Sequence, residues 1–362
     1  MKPTQKLHRQ GQSLWLDNIT RDLLTDGTLQ GYIDDLGITG LTSNPTIFDH
    51  AFDTSDAYDD GIRAAAAEGV PDEEAFFRLA IEDLQGAADL FRPTWDRTNG
   101  TDGWVSLEVS PRLAHDPEST LAAAKSLSAT AGRPNLFIKI PGTPEGLTAI
   151  EESILAGVPV NVTLLFSRDQ YLAAADAFLR GVERRVEAGL DPAVGSVASV
   201  FVSRWDTAPE SRDRPDDLRN VLGIAQARQS YRAYRELLDS PRWQRLANEG
   251  AQPQRLLWAS TGTKDPEASD VLYVRALAAP FTINTMPEKT LLAFGDHGDV
   301  TDFLPRDGGD ADEVIARFEA GGVDLGALAA RLQTEGAASF VTSWDELMAT
   351  IAQRSAALAA SR

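Results

Sequence analysis

Asn135-Leu136-Phe137-Ile138-Lys139-Ile140-Pro141-Gly142 is a short apolar run closed by Pro and Gly, the pattern of a strand buried on both faces. Its one discordant residue is Lys139, set between Ile138 and Ile140. Lysine is almost never fully buried unless something pairs with it or uses it. The chain has only six lysines (Lys2, Lys6, Lys125, Lys139, Lys264, Lys289), so the position is not one of many scattered surface charges. A buried amine loses part of its preference for the charged form and becomes a usable nucleophile. Two plainer readings stand beside that one: an edge-strand lysine reaching water, or a lysine neutralised by a structural carboxylate.

Outward from this strand the same unit recurs, a short apolar strand followed by an amphipathic helix. Strands are expected at 13–17, 38–42, 104–109, 135–141, 158–165, 196–202, 255–260 and 281–284. Helices are expected near 20–36, stopped by Gly37, and over 53–69 and 71–91. Asp116-Pro117 reads as an N-cap with Pro at the first helical position, and Gly132 as the stop. Thr143-Pro144 opens the next helix and Gly157 ends it, while Ser167-x-x-Gln170 is a capping box for a helix with Leu172, Phe178, Leu179, Val182 and Val186 as its apolar stripe. A polar segment, 206–217, leads into helical pattern up to about 246, and Ser343-Trp344-Asp345-Glu346 reads as a last capping box before Leu347, Ile351 and Leu358. Eight strands separated by helices fit an α/β fold of one kind, a single (β/α)8 TIM barrel with extra helices after strands two and six and at the C-terminus. The expected division is one domain over 1–362, with a helical insertion near 206–254. An open doubly wound sheet is the alternative, but no G-x-G-x-x-G follows the first strand.

Bulk composition narrows the function. The 362 residues carry a formal charge of −20, which argues against nucleic acid as a partner. It also requires a local cluster of cations if the substrate bears phosphate. Zero cysteines exclude disulfides and thiolate chemistry, and the four histidines (His8, His50, His115, His297) show no ligand spacing, so neither metal nor cofactor is expected. With no apolar run of spanning length and no leader pattern, a cytoplasmic protein without membrane contact is expected.

In a barrel the reacting groups stand at the C-terminal ends of the strands. There the sequence places Asp17, Thr42 and Asn44, Glu108, Lys139, Asn161 and Thr163, Ser199, Arg204, Ser260 and Lys264. Each has a plain alternative: Asp17 and Asn44 as helix N-caps, Asn161 and Thr163 satisfying each other in a core, Arg204 in a surface ion pair. Together, an amine, two carboxylates and several amides and hydroxyls inside one barrel are costly unless they serve a reaction. An amine with separate carboxylates, lacking thiol and metal, suits imine formation with a ketone and cleavage of the neighbouring carbon–carbon bond.

Three stretches carry a resemblance. Leu41-Thr42-Ser43-Asn44-Pro45-Thr46-Ile47-Phe48 resembles the first transaldolase signature. Phe137-Ile138-Lys139-Ile140-Pro141-Gly142-Thr143-Pro144-Glu145-Gly146 resembles the second, and Val160-Asn161-Val162-Thr163-Leu164-Leu165-Phe166-Ser167 is also typical of that family. The likeness runs from about Trp15 to about Phe294. Trp258-Ala259-Ser260-Thr261-Gly262-Thr263-Lys264 and an Asn284-Thr285-Met286-Pro287 turn make it most similar to the longer bacterial form. Some of those relatives are fused to a glucose-6-phosphate isomerase domain, for which this chain is too short.

The resemblance implies a class I aldolase-like barrel that transfers a dihydroxyacetone unit. Donors would be sedoheptulose 7-phosphate or fructose 6-phosphate; acceptors would be glyceraldehyde 3-phosphate or erythrose 4-phosphate. It implies Lys139 as the imine-forming residue and Asp17 as the base toward the C4 hydroxyl. Glu108 would shuttle protons with Thr163 positioning a water. Asn44, Asn161 and Ser199 would hold the three-carbon unit, with Thr42 beside Asp17. Arg204 and Ser260 match the family's phosphate ligands. Shorter relatives place an arginine where this chain has Gly262, and Lys264 is expected to take that cationic role. A monomer or homodimer is expected. Two other functions stay open at this point: a class I aldolase releasing free dihydroxyacetone, and a non-catalytic sugar-phosphate binder.

Overall fold

A computed structural model describes residues 1–211 and 215–360. Eight parallel strands form one sheet: β1 (Ser13–Asp17), β2 (Gly40–Thr42), β3 (Val105–Glu108), β4 (Leu136–Pro141), β5 (Val160–Leu165), β6 (Ser196–Phe201), β7 (Arg255–Ala259) and β8 (Thr282–Met286). Their order is β2-β1-β8-β7-β6-β5-β4-β3. The two ends meet at a parallel bridge between Gly40 and Trp104, where Leu41 N donates to Trp104 O at 3.0 Å and Gly103 N to Thr39 O at 2.8 Å. The ring therefore closes as a (β/α)8 barrel, as expected. Gly40 is required at this seam: a Cβ there would lie 2.5 Å from Trp104 O and 2.7 Å from the Trp15 indole.

Alternation along the strands sorts side chains into two sets. Leu14 and Leu16, Ile138 and Ile140, Val160 and Val162, Ala198 and Val200 join the outer core under the helices. Trp15, Phe137, Val197, Leu257 and Ile283 join the inner cluster instead, forming an apolar floor. The next inward position, one layer higher, is Asp17 on β1, Lys139 on β4, Ser199 on β6 and Thr285 on β8, with Ala259 on β7 the apolar exception. A packed floor with a polar top is what confines chemistry to one end.

Several local readings hold at atomic detail. Asp116 accepts from Ser119 N at the start of Pro117–Ala131, and Gly132 takes φ 57 at its end. Ser167 and Gln170 form their capping box ahead of Arg168–Glu187. Thr143 Oγ1 accepts from Gly146 N at 3.1 Å, opening Gly146–Leu155.

Others are corrected. The 20–36 segment is Arg21–Thr25, Thr28–Gly31 and Tyr32–Leu36, because Gly27 takes φ 84 and breaks the run. Pro45–Thr54 and Asp59–Glu68 replace the single helix expected over 53–69. Leu172 is exposed, and Tyr171 is buried in its place. Asn284-Thr285-Met286 is no turn but the end of β8, paired to β7 at Trp258–Asn284 and to β1 at Leu16–Met286; Pro287, which has no N–H to extend the ladder, marks the stop. Ser343 does not start a helix. It lies inside one of 36 residues, Leu325–Ala360, where intrahelical bonds satisfy the N–H groups and its hydroxyl accepts from Thr46 Oγ1 at 2.8 Å.

Past β6 come short turns at Ser203–Thr207, Pro209–Ser211 and Asp216–Leu218, then helices Leu222–Asp239 and Pro241–Asn248. Positions 212–214 of the polar segment lie outside the described residues. Leu222–Asp239 packs against Arg168–Glu187, β6 and β7. Among the described residues no helix is long and apolar enough to cross a membrane.

Candidate active site

Strand register assembles the polar layer. Glu108 on β3 pairs with Lys139 on β4, and Lys139 pairs with Asn161 on β5. Asp17 on β1 pairs with Thr42 on β2. These residues are far apart in sequence and adjacent in the ring.

Lys139 is 5% exposed. Its Nζ donates to Ser43 O at 3.0 Å and to Glu108 Oε2 at 3.2 Å, and it lies 5.7 Å from the centre of the Phe340 ring. The edge-strand reading is thereby removed. The second oxygen of Glu108, Oε1, is buried with no partner, as is Thr163 Oγ1. Unpaired buried acceptors and donors are costly, and these two belong to groups already standing by the amine or facing the cavity. Burial raises the Glu108 carboxyl above its ordinary value, with Lys139 opposing that rise and Asp17 adding to it.

Asp17 sits half-buried at the mouth and accepts from Thr42 Oγ1 at 2.7 Å. It is not a helix cap; Thr20 performs that task by accepting from Leu23 N. Burial raises the Asp17 carboxyl, against the opposing pull of Lys139, the Thr42 hydroxyl and Lys264. Thr42 Oγ1 also meets Thr285 Oγ1 at 2.7 Å. Asn44, by contrast, does cap a helix, accepting from Ile47 N at 3.1 Å, and it lines the cavity as well.

Asn161 and Thr163 do not satisfy each other. Asn161 accepts from Ser199 Oγ at 2.7 Å and donates to Ser106 Oγ at 3.1 Å, so a β3–β5–β6 chain of hydrogen bonds fixes Ser199.

The cavity above this layer has a volume of about 270 Å³, and Asp17, Asn44, Lys139, Thr163, Arg204, Ser260 and Lys264 are among the residues that line it. Among the described residues Arg204 makes no surface ion pair. Its Cζ lies 5.1 Å from the Phe201 ring centre and 5.9 Å from that of Phe340, and burial holds its guanidinium below the ordinary value, Glu108 opposing. Ser260, at φ 56, shares a hydrogen bond of 2.8 Å with Ser203 Oγ. Lys264 is exposed at the rim. The cations that a phosphate would need are thus gathered in one mouth of a chain of net charge −20. Among the described residues no group of three or more His, Asp and Glu side chains could hold a metal ion.

Some residues here escaped the sequence reading. Ser106 lies two before Glu108, Phe201 two after Ser199, and Thr285 two after Ile283; the period of two marks each of them as inward-facing. Phe340 had no such signal, since its spacing along a long helix reads as ordinary core.

Fold and site together define a (β/α)8-barrel enzyme whose buried lysine amine bonds one carboxylate and acts electrostatically on a second. The comparisons with known proteins are specific. The family described as transaldolase/fructose-6-phosphate aldolase matches residues 14–351. The transaldolase of Thermobifida fusca is 47% identical over 363 aligned residues, covering 98% of this chain and 99% of the relative. That of Frankia alni is 45% identical over 360, covering 97% of each. That of Thiobacillus denitrificans is 45% identical over 358, covering 97% of this chain and all of the relative. The chain belongs to the transaldolase/fructose-6-phosphate aldolase family. Together, the family and its relatives' names support transaldolase function, a transfer of an aldehyde or ketone residue in the pentose phosphate pathway, over an aldolase that releases its product free.

Proposed function

We propose that the mouth of the barrel carries a dihydroxyacetone unit from sedoheptulose 7-phosphate or fructose 6-phosphate to glyceraldehyde 3-phosphate or erythrose 4-phosphate, through an imine on Lys139. The single observation that carries this reading is the Lys139–Glu108 contact of 3.2 Å, buried and with one carboxylate oxygen left over.

The donor's phosphate binds Arg204, Ser260 and Lys264, which sets the sugar chain across the cavity toward Lys139. The amine attacks the C2 carbonyl. Glu108 takes and returns the protons needed to expel water, with Thr163 holding that water. Asp17 then removes the proton of the C4 hydroxyl; the C3–C4 bond breaks, and its electron pair moves into the iminium to give an enamine. Asn44, Asn161 and Ser199 hold the hydroxyls of this three-carbon unit until an acceptor aldehyde arrives and the steps run backward. Burial raises the Asp17 and Glu108 carboxyls, so each holds a proton more readily than an exposed carboxylate, which suits groups that exchange protons with a substrate.

The enzyme works as one domain, alone or as a homodimer, in the cytoplasm and without nucleic acid; the absence of cysteine supports the compartment and the charge of −20 the exclusion of nucleic acid. The test is borohydride reduction in the presence of fructose 6-phosphate, followed by mass spectrometry of the digested protein. A three-carbon adduct on the Lys139 peptide is expected. A label elsewhere, or none, overturns the reading.

A further inference from the structure

We propose that Phe340, carried over the barrel mouth by the long C-terminal helix, shields the bound enamine from water and so sets how much of the three-carbon unit is transferred rather than released. The inference rests on the imine reading above.

Among the described residues, Phe340 is the cavity's one lining residue from the segment beyond β8 and its following helix. Its ring faces both the amine that would carry the substrate, at 5.7 Å, and the guanidinium of Arg204, at 5.9 Å. At 7% exposure it sits over the cavity rather than beside it in solvent.

Its position is held from both directions along the helix. Seven residues earlier, Gln333 Nε2 donates to Gly142 O and to Leu164 O, each at 2.9 Å, tying the helix to the ends of β4 and β5. Three residues later, Ser343 accepts from Thr46. Beyond that, Asp345 pairs with Arg112 at 2.7 Å and Thr350 donates to Asp49 at 2.7 Å. One turn before Phe340 is Gly336, where a Cβ would stand 2.9 Å from Leu164 Cδ2 and 3.0 Å from Arg204 Nη1. The missing side chain lets the helix come down onto the site. The tail is thus a fastened cover with one aromatic ring aimed at the reacting nitrogen.

The enamine has two fates. Its nucleophilic carbon attacks an acceptor aldehyde, forming the new carbon–carbon bond. Alternatively, that carbon takes a proton from water, and a second water hydrolyses the resulting iminium, freeing dihydroxyacetone and the Lys139 amine. Water hydrolyses an iminium at the end of both routes, but only the second first needs a proton delivered from water to the enamine carbon. An apolar ring beside the amine that bears this carbon keeps water from it, slowing the second route and leaving the first open.

The experiment uses the full chain with fructose 6-phosphate and compares Phe340→Leu and Phe340→Ala with the wild type. Free dihydroxyacetone is measured without acceptor, and transfer is measured with erythrose 4-phosphate. The ratio of release to transfer is expected to rise from wild type to Leu to Ala, by about tenfold at Ala, while borohydride still traps the adduct on Lys139. An unchanged ratio in the variants that still trap overturns the proposal, and the Leu variant keeps this reading available should Ala unfold. Failure of the wild type to trap at all would bring down the imine reading itself, which separates the two failures.

Discussion

Glu108 and Lys139 are register partners across β3 and β4, and their side chains meet at 3.2 Å inside a barrel that leaves the amine 5% exposed. Such a pair is weak evidence for stability, because desolvating two charges offsets most of their attraction. It is better evidence for chemistry, since one partner is, among the described residues, the only buried lysine and the other keeps an oxygen unpaired.

Lys139→Ala is expected to abolish borohydride trapping and to lower turnover on the order of 10⁴-fold or more, as loss of a covalent nucleophile does. Circular dichroism should show the barrel intact. Trapping that survives the substitution would mean another residue forms the imine.

Glu108→Gln keeps the shape but cannot carry a proton. Turnover is expected to fall by about 10²–10⁴-fold, the usual range for general acid–base groups. Stopped-flow measurement should place the loss in formation and hydrolysis of the imine. A variant slowed only in carbon–carbon cleavage would assign the role wrongly.

Thr42 donates to Asp17 and so opposes the rise that burial imposes on this carboxyl. Thr42→Val removes that opposition, and the carboxyl rises further. The acid limb of the kcat/KM profile is therefore expected to move to higher pH, while Thr42→Ser restores it. A limb that stays in place under Val would exclude Asp17 as the titrating base.

Arg204→Ala is expected to raise KM for phosphorylated donors by about 10- to 100-fold, from hydrogen bonds to charge of about 1.5–3 kcal/mol. Unphosphorylated fructose, tested alongside, should be affected far less. Lys264→Ala follows with a smaller change, because that cation is exposed and screened. Equal losses on both kinds of donor would argue against phosphate binding here.

Asp206 gives a pH dependence away from the chemistry. It accepts from Leu222 N at 3.0 Å and Tyr273 Oη at 2.9 Å, and burial pushes its carboxyl up to about 6 against those hydrogen bonds. The folded state thus holds this proton more tightly than the unfolded chain. The associated stability is full below about pH 4 and is lost as pH rises through about 6, at most about 3 kcal/mol and less for a side chain that keeps some exposure. Denaturant unfolding from pH 4 to 8 should show the wild type losing ground to Asp206→Asn across that window. A constant difference between them would refute the assignment.

Taken by itself, the sequence specified what is local: eight apolar runs with inward polar residues two apart, the Asp116 and Ser167 caps, and a lysine where a strand should be apolar. These follow from strand pleat, turn chemistry and capping, which act within a few residues. The same locality explains the misreading of Ser343-x-x-Glu346, whose capping pattern could not reveal that a helix already ran through it. Tertiary structure alone decided the register that sets Glu108 and Asn161 on either side of Lys139, the Thr42–Thr285 contact, the aromatic faces around Arg204, and the placing of Phe340 above an amine two hundred positions earlier in the chain. Each of those depends on which distant surfaces bury one another when the ring closes and the last helix docks, and no short window of sequence contains both surfaces.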